Sequence, residues 1–129
     1  KIPPSDMEMA IALDPLIEQV MVVGEGKPYL GALVVLNPDL WNGFAEEYEL
    51  DPSLPASLGD ERLHNVVLKR IRMALRDFPG YAKIRRVALL LEPWTIDNGL
   101  MTPTMKIKRQ KVLQHCGGQV ESLYGDGLV

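Results

Sequence analysis

No uninterrupted apolar run in this chain of 129 residues exceeds five residues, and that ceiling limits what it can fold into. A membrane-spanning helix needs about 20 consecutive apolar residues, so no segment is a transmembrane candidate. Runs this short suit strands of a small sheet. Residues 17–23 and 30–36 are β-branched and apolar, and Gly24-Glu-Gly-Lys-Pro28 between them supplies turn chemistry. The pair predicts a β-hairpin. Gly31, inside the second run, marks a close approach to that backbone. Residues 86–92 predict a third strand. Its Val87-Ala-Leu-Leu-Leu91 core is apolar enough for burial on both faces, and Pro93 closes it.

Helical spacing fills the intervals. Ser5 and Glu8 stand at capping-box spacing, followed by Met7, Ala10 and Ile11 on one face and Pro15 as a stop. Leu40, Trp41, Phe44, Ala45 and Tyr48 predict a core-facing helix after Asn37-Pro38-Asp39. Residues 51–59 read as a loop. Asp60 caps a helix over 60–78 with a stripe of Leu63, Val67, Ile71 and Ala74, and Pro79-Gly80 stops it. A last helix runs to about residue 123. Gly117-Gly118 inside it cost about 2 kcal/mol relative to alanines, so the pattern can break there. Strands segregated from helices predict an α+β fold: a small three-stranded sheet with a β-hairpin, covered by helices, in one domain.

The net charge of −3 hides an asymmetry. Residues 1–61 hold twelve acidic and two basic side chains, net −10; residues 62–129 hold five acidic and twelve basic, net +7, which restores −3. The basic half can approach an anionic ligand, or the halves can fold together and cancel. The single Cys116 excludes an internal disulfide and fits a reducing compartment. His64 lacks a partner at metal-ligand spacing. His115 and Cys116 are neighbours, which point apart on a helix, so neither metal binding nor Cys–His catalysis is expected. The start, Lys1-Ile-Pro-Pro-Ser5, has no apolar signal core, and without an initiator Met the chain reads as a piece of a longer protein.

One stretch is more specific than the rest. It runs from Trp94 through Asn98-Gly99-Leu100-Met101-Thr102-Pro103-Thr104-Met105-Lys106 to Lys108, Arg109 and Lys111. Asn98-Gly99 is a turn dipeptide, and Pro103 pushes Thr102 towards extended backbone. Thr104 is placed to cap the last helix. Lys106 is then held at a loop-to-helix junction, able to present an ammonium to an anion. The loop 98–104, polar and turn-rich, is expected to be mobile. From composition alone the four cations read as a solvated helix start. Without interleaved aromatics they make a poor nucleic-acid footprint, and no nucleic-acid partner is expected.

Taken together, Asn98, Gly99, Leu100, Thr102, Pro103, Thr104, Lys106, Lys108 and Arg109 resemble the C-terminal signature of adenylate-forming acyl-CoA synthetases. The long-chain fatty-acid branch reads Leu-Thr-Pro-Thr-x-Lys-x-Lys-Arg there. Many members of the wider superfamily carry Ser-Gly before the lysine, where this chain has Thr104-Met105. Gly24-x-Gly26-x-Pro28-Tyr-Leu-Gly31 is similar to the family's hairpin, and Lys1-Ile-Pro-Pro4 with Glu8 to the segment after its hinge. The resemblance covers nearly the whole chain. It implies that residues 1–129 are the mobile C-terminal domain of a long-chain fatty-acid CoA ligase, partnered by a large N-terminal domain carrying the phosphate loop. The implied reaction turns ATP, fatty acid and CoA into acyl-CoA, AMP and pyrophosphate. Lys106 would be the adenylation lysine, with Thr104, Lys108 and Arg109 as substrate-contacting candidates. Mg²⁺ would be held mainly by the large domain, and the enzyme would be cytoplasmic, with any membrane association through that domain. Acyl chain length is not set by these residues. A non-catalytic interaction domain, or a degenerate member binding a partner through its basic half, stays open beside this reading.

Overall fold

The computed structural model describes residues 2–125. Its elements are α1 (Pro4–Ile11), β1 (Ile17–Val23), β2 (Leu30–Leu36), α2 (Pro38–Glu47), α3 (Glu61–Ala74), β3 (Ile84–Leu90), α4 (Arg109–His115) and α5 (Gly117–Tyr124). This is the expected α+β fold with a three-stranded sheet in the order β1-β2-β3. β1 and β2 form the antiparallel hairpin, whereas β3 runs parallel to β2. A parallel neighbour needs a long crossover, and the segment from α2 through α3 supplies it.

The central strand explains the composition of residues 30–36. β2 is paired on both edges and covered on both faces, so residues 31–36 are all buried. Val20, Val22, Ala32, Val34, Val87 and Leu89 face one layer, where Met7 and Ile11, Trp41 and Ala45, and Leu63, Val67 and Ile71 bring in α1, α2 and α3. Met21, Val23, Leu33, Val35 and Ala88 face the other, covered by Trp94, Leu100 and Met101 from the long loop and by Val112, Leu123 and Tyr124 from α4 and α5. The signature stretch therefore supplies three buried side chains of the second core layer.

Gly31 is the close approach its position suggested. A Cβ there would stand 3.1 Å from one Leu123 methyl and 3.3 Å from the other. Several boundaries differ from the sequence reading. α1 starts at Pro4 with Pro3 as its cap and no side-chain cap bond, so Ser5 and Glu8 form no capping box. Glu8 is drawn inward instead. α3 stops at Ala74, four residues short of the expected end, because Leu75 leaves helical geometry at φ −99°, ψ 13°. β3 sits two residues earlier than expected: Ile84, flanked by Lys83 and Arg85, pairs with Leu30 and is buried. Residues 55–59 of the expected loop form a 3₁₀ turn. Leu40 points outward, leaving Trp41 and Ala45 as the buried side of α2. The last helix breaks at Cys116, directly before Gly117-Gly118, which open α5.

Candidate functional site

Beyond β3 the chain enters the second layer and is fastened there by side-chain amides. β1 carries an extra residue between Ile17 and Gln19, a bulge that breaks its register with β2. Gln19 shares a face with Met21 and Val23. Its amide clasps Trp94 on both sides: the Trp94 N–H donates to Oε1 at 2.7 Å, and Nε2 donates to the Trp94 carbonyl at 2.9 Å. Asn98 fastens the next turn. Its Oδ1 accepts from the Thr95 N–H at 2.9 Å and the Leu100 N–H at 3.2 Å, and its Nδ2 donates to the Pro93 carbonyl at 2.9 Å. Gly99 supplies the left-handed backbone the turn requires, φ +79°. Leu100 and Met101 are buried directly after it. A segment expected to be a free polar loop is thus anchored at both ends.

Residues 101–107 then close into a clasp that presents Lys106. Met101 and Ile107 pair across an antiparallel bridge. Thr102 spends its polar groups within the clasp. Its N–H donates to the Lys106 carbonyl at 2.8 Å, its carbonyl accepts from the Met105 N–H at 2.8 Å, and its Oγ1 accepts from the Lys106 N–H at 3.0 Å. The Thr104 hydroxyl lies 3.1 Å from that of Thr102. Thr104 therefore shapes the turn and does not cap the helix, which begins at Arg109 after Lys108. The turn closes only with Met105 at φ +67°, a region where L side chains are strained. Glycine fits there without strain. The Lys106 side chain is exposed and borders a groove of about 710 Å³, lined also by Met9 and Ala12 of α1 and by Met101, Met105 and Ile107.

The neighbouring cations separate into two kinds. Lys106 and Lys108 are exposed and form no ion pair among the described residues. Arg109 turns inward to Glu8, donating from Nη1 to Oε2 at 2.8 Å and from Nη2 to Oε1 at 2.6 Å. The carboxylate beside it raises the already high pKa of the Arg109 guanidinium further. Glu8 is 8% exposed and also accepts from the Val22 N–H, at 2.8 Å. Arg70 pairs with Asp14 in the same way across the acidic and basic halves, at 2.7 Å. Cancellation and free positive charge thus coexist in this domain.

His64 Nε2 bonds the Leu58 carbonyl at 2.8 Å, and His115 Nε2 lies 2.9 Å from Glu92 Oε1. Cys116 is buried, and burial pushes its thiol above the usual range. A thiol so placed is a weak nucleophile at neutral pH. Among the described residues no three His, Cys, Asp or Glu side chains gather where they could hold a metal ion. These residues do not fit a Mg²⁺ site. Nor, among the described residues, is any helix long and apolar enough to cross a membrane.

Sequence reasoning missed Glu8, Gln19 and the backbone state of Met105. Gln19 left a trace as a lone polar side chain on an apolar strand face. Glu8 follows Met7 at the edge of the helix's apolar face, a signal that its capping-box spacing obscured.

Comparison with known proteins adds an independent finding. The family model described as AMP-binding enzyme C-terminal domain matches residues 1–127. A probable acyl-activating enzyme 16, chloroplastic, of Arabidopsis thaliana is 35% identical over 123 residues, covering 94% of this chain and 17% of that protein. The long-chain-fatty-acid–CoA ligase FadD15 of Mycobacterium tuberculosis is 30% identical over 125 residues, covering 94% of this chain and 20% of that protein. Among solved structures, the A domain of a carboxylic acid reductase from Segniliparus rugosus, in complex with AMP and a co-purified carboxylic acid, superposes with a TM-score of 0.73. It is 26% identical, and the match covers 95% of this chain and 18% of that one. The chain thus spans about a fifth of the length of the relatives it matches.

Proposed function

The chain belongs to the family of AMP-binding enzyme C-terminal domains, and from that premise we propose that it serves a long-chain fatty-acid CoA ligase as the mobile domain that delivers Lys106 to the adenylation step. The observation that carries the reading is the clasp of residues 101–107. It spends the backbone and hydroxyl groups of Thr102 and a left-handed Met105 on holding one exposed lysine beside a groove. A merely solvated lysine has no need of such a mount.

In the proposed reaction a fatty-acid carboxylate oxygen attacks the α-phosphorus of ATP. The bond to the bridging oxygen breaks, giving acyl-adenylate and pyrophosphate. Two anions must meet, so the approach is opposed by repulsion. The Lys106 ammonium bridges carboxylate and α-phosphate oxygens and offsets the charge that develops between them. It acts as a charge, so the role requires the protonated form and does not require burial. CoA thiol then attacks the acyl carbon, AMP leaves, and the domain turns to a second orientation for that step. Thr104 shapes the turn, and Lys108 stays at the surface near the phosphates. The large N-terminal domain is the partner and holds ATP, fatty acid and Mg²⁺. A cytoplasmic location is proposed on the single reduced cysteine, while relatives are named as chloroplastic and as peroxisomal.

The test is pyrophosphate release by the full-length protein given ATP, Mg²⁺ and palmitate. Lys106→Ala should slow it by about 10²–10³-fold, the scale for losing one preorganised charge-stabilising donor. The 129-residue chain alone should release none, since a single lysine clasp does not order a nucleotide. Normal turnover by the Lys106→Ala enzyme would return this lysine to the solvated surface.

A further inference from the structure

Arg109 stands three residues after Lys106, yet its fork is turned onto Glu8. The pairing joins parts that are distant in sequence. Glu8 belongs to α1 and Val22 to β1, and the Glu8 carboxylate bonds both the Val22 N–H and the Arg109 guanidinium. A two-pronged guanidinium–carboxylate pair fixes a plane as well as a distance. Between this fork and Lys106 there is little slack. Ile107 bridges to Met101, and the Lys108 N–H donates to the Leu100 carbonyl at 3.0 Å. Three residues span at most about 10 Å of chain, so a shift of the fork reaches the lysine mount directly. Glu8, Arg109 and Lys106 also line the same groove.

Stability gives a poor account of this carboxylate. Its helix packs through Met7 and Ile11, both fully apolar, and a buried ion pair is often no better for folding than apolar residues of similar volume. What the pair supplies is geometry. We infer that Glu8 and Arg109 are positioning residues for Lys106: they lock the C-terminal end of its clasp to α1 and β1, so that the ammonium meets the reacting anions in one place. Arg109 is thereby withdrawn from direct phosphate contact. The inference rests on Lys106 being the adenylation lysine.

The test uses the full-length protein and separates the half-reactions. Glu8→Gln and Arg109→Lys should each lower kcat for adenylation by about 10- to 10²-fold, the effect of misplacing a catalytic group by about 1 Å. KM for ATP should stay within about threefold, and so should thioester formation from preformed acyl-adenylate and CoA, which does not use the lysine. The double variant should be no slower than the slower single one, because both act through one contact. Arg109→Lys keeps the charge on a side chain 40% exposed, so it decides the matter if Glu8→Gln does not fold. Folded variants that adenylate within about twofold of the parent would overturn the inference, as would equal slowing of both half-reactions, the mark of a structural role. A Lys106→Ala enzyme that adenylates normally would remove the premise and the inference together, and that variant leaves Glu8 and Arg109 untouched.

Discussion

Met105 offers a test in which the sign of the effect, more than its size, carries the argument. At most positions glycine is worse than alanine, because it has more backbone freedom to lose on folding, by about 0.4–1 kcal/mol. At φ +67° the order should invert. An L residue in left-handed backbone costs about 1–2 kcal/mol, which glycine avoids and alanine does not. The difference leaves Met105→Gly more stable than Met105→Ala by about 0.5–1 kcal/mol. Both variants lose the same thioether side chain, which is 63% exposed, so lost burial cancels in the comparison. Urea unfolding of the 129-residue chain reads the difference directly. With a slope of about 1–3 kcal/mol/M, the glycine midpoint should lie a few tenths of a molar above the alanine one. An alanine variant as stable as the glycine variant, or more so, would refute the claim that the clasp is held by a strained residue next to Lys106. The two should also part in function. Glycine relieves the strain but loosens the backbone, so Met105→Gly should adenylate more slowly than its stability suggests.

Other consequences are as direct. Gly31→Ala should cost about 1–3 kcal/mol in urea unfolding, because the new methyl presses on Leu123 at 3.1 Å; a neutral substitution would show that α5 gives way freely. The Arg70 hydrogen bond holds the Asp14 carboxyl below its usual range, so the stability it adds is present above that range and is lost as pH falls through the folded-state value. Asp14→Asn should therefore destabilise by up to about 1 kcal/mol at pH 7 and by nothing near pH 2; the same loss at both would contradict the ion-pair account. Cys116 should react with iodoacetamide at pH 8 far more slowly in the folded chain than in urea, since the thiol is buried and its pKa raised; equal rates would place it at the surface. Amide exchange at Leu100, bonded to the Thr95 carbonyl and to Asn98, and at Lys106, bonded to Thr102 within the clasp, should be slower than at exposed turn amides.

The sheet and its helices were legible because short apolar runs and helical stripes follow directly from burial. The 30–36 run read as the second strand of a hairpin, and the glycine pair at 117–118 announced the break in the last helix. Lys106 stood out through the turn chemistry around it. What stayed hidden depends on contacts far apart in sequence. Glu8 meets Arg109 across a separation of 101 residues, and its spacing from Ser5 offered a local explanation that the two prolines at the helix start displace. Gln19 reaches Trp94 across 75 residues by way of a bulge that no single-strand pattern announces. Thr104 looked like a cap because a charged run follows it, but the cross-bridge at Met101 and Ile107 delays the helix to Arg109. The loop looked mobile because its residues are polar. Its polar groups are satisfied by one another, and Leu100 and Met101 anchor it in the core.

Lys106 is proposed to act in one half-reaction only. Single-turnover kinetics of the full-length Lys106→Ala protein test it most directly, with acyl-adenylate formation from ATP and palmitate followed beside thioester formation from preformed acyl-adenylate and CoA. Adenylation should slow by about 10²–10³-fold while thioester formation stays close to the parent rate. Lys106→Arg should recover little, because a planar guanidinium places its charge differently. Equal slowing of the two half-reactions, or normal adenylation, would contradict the proposal.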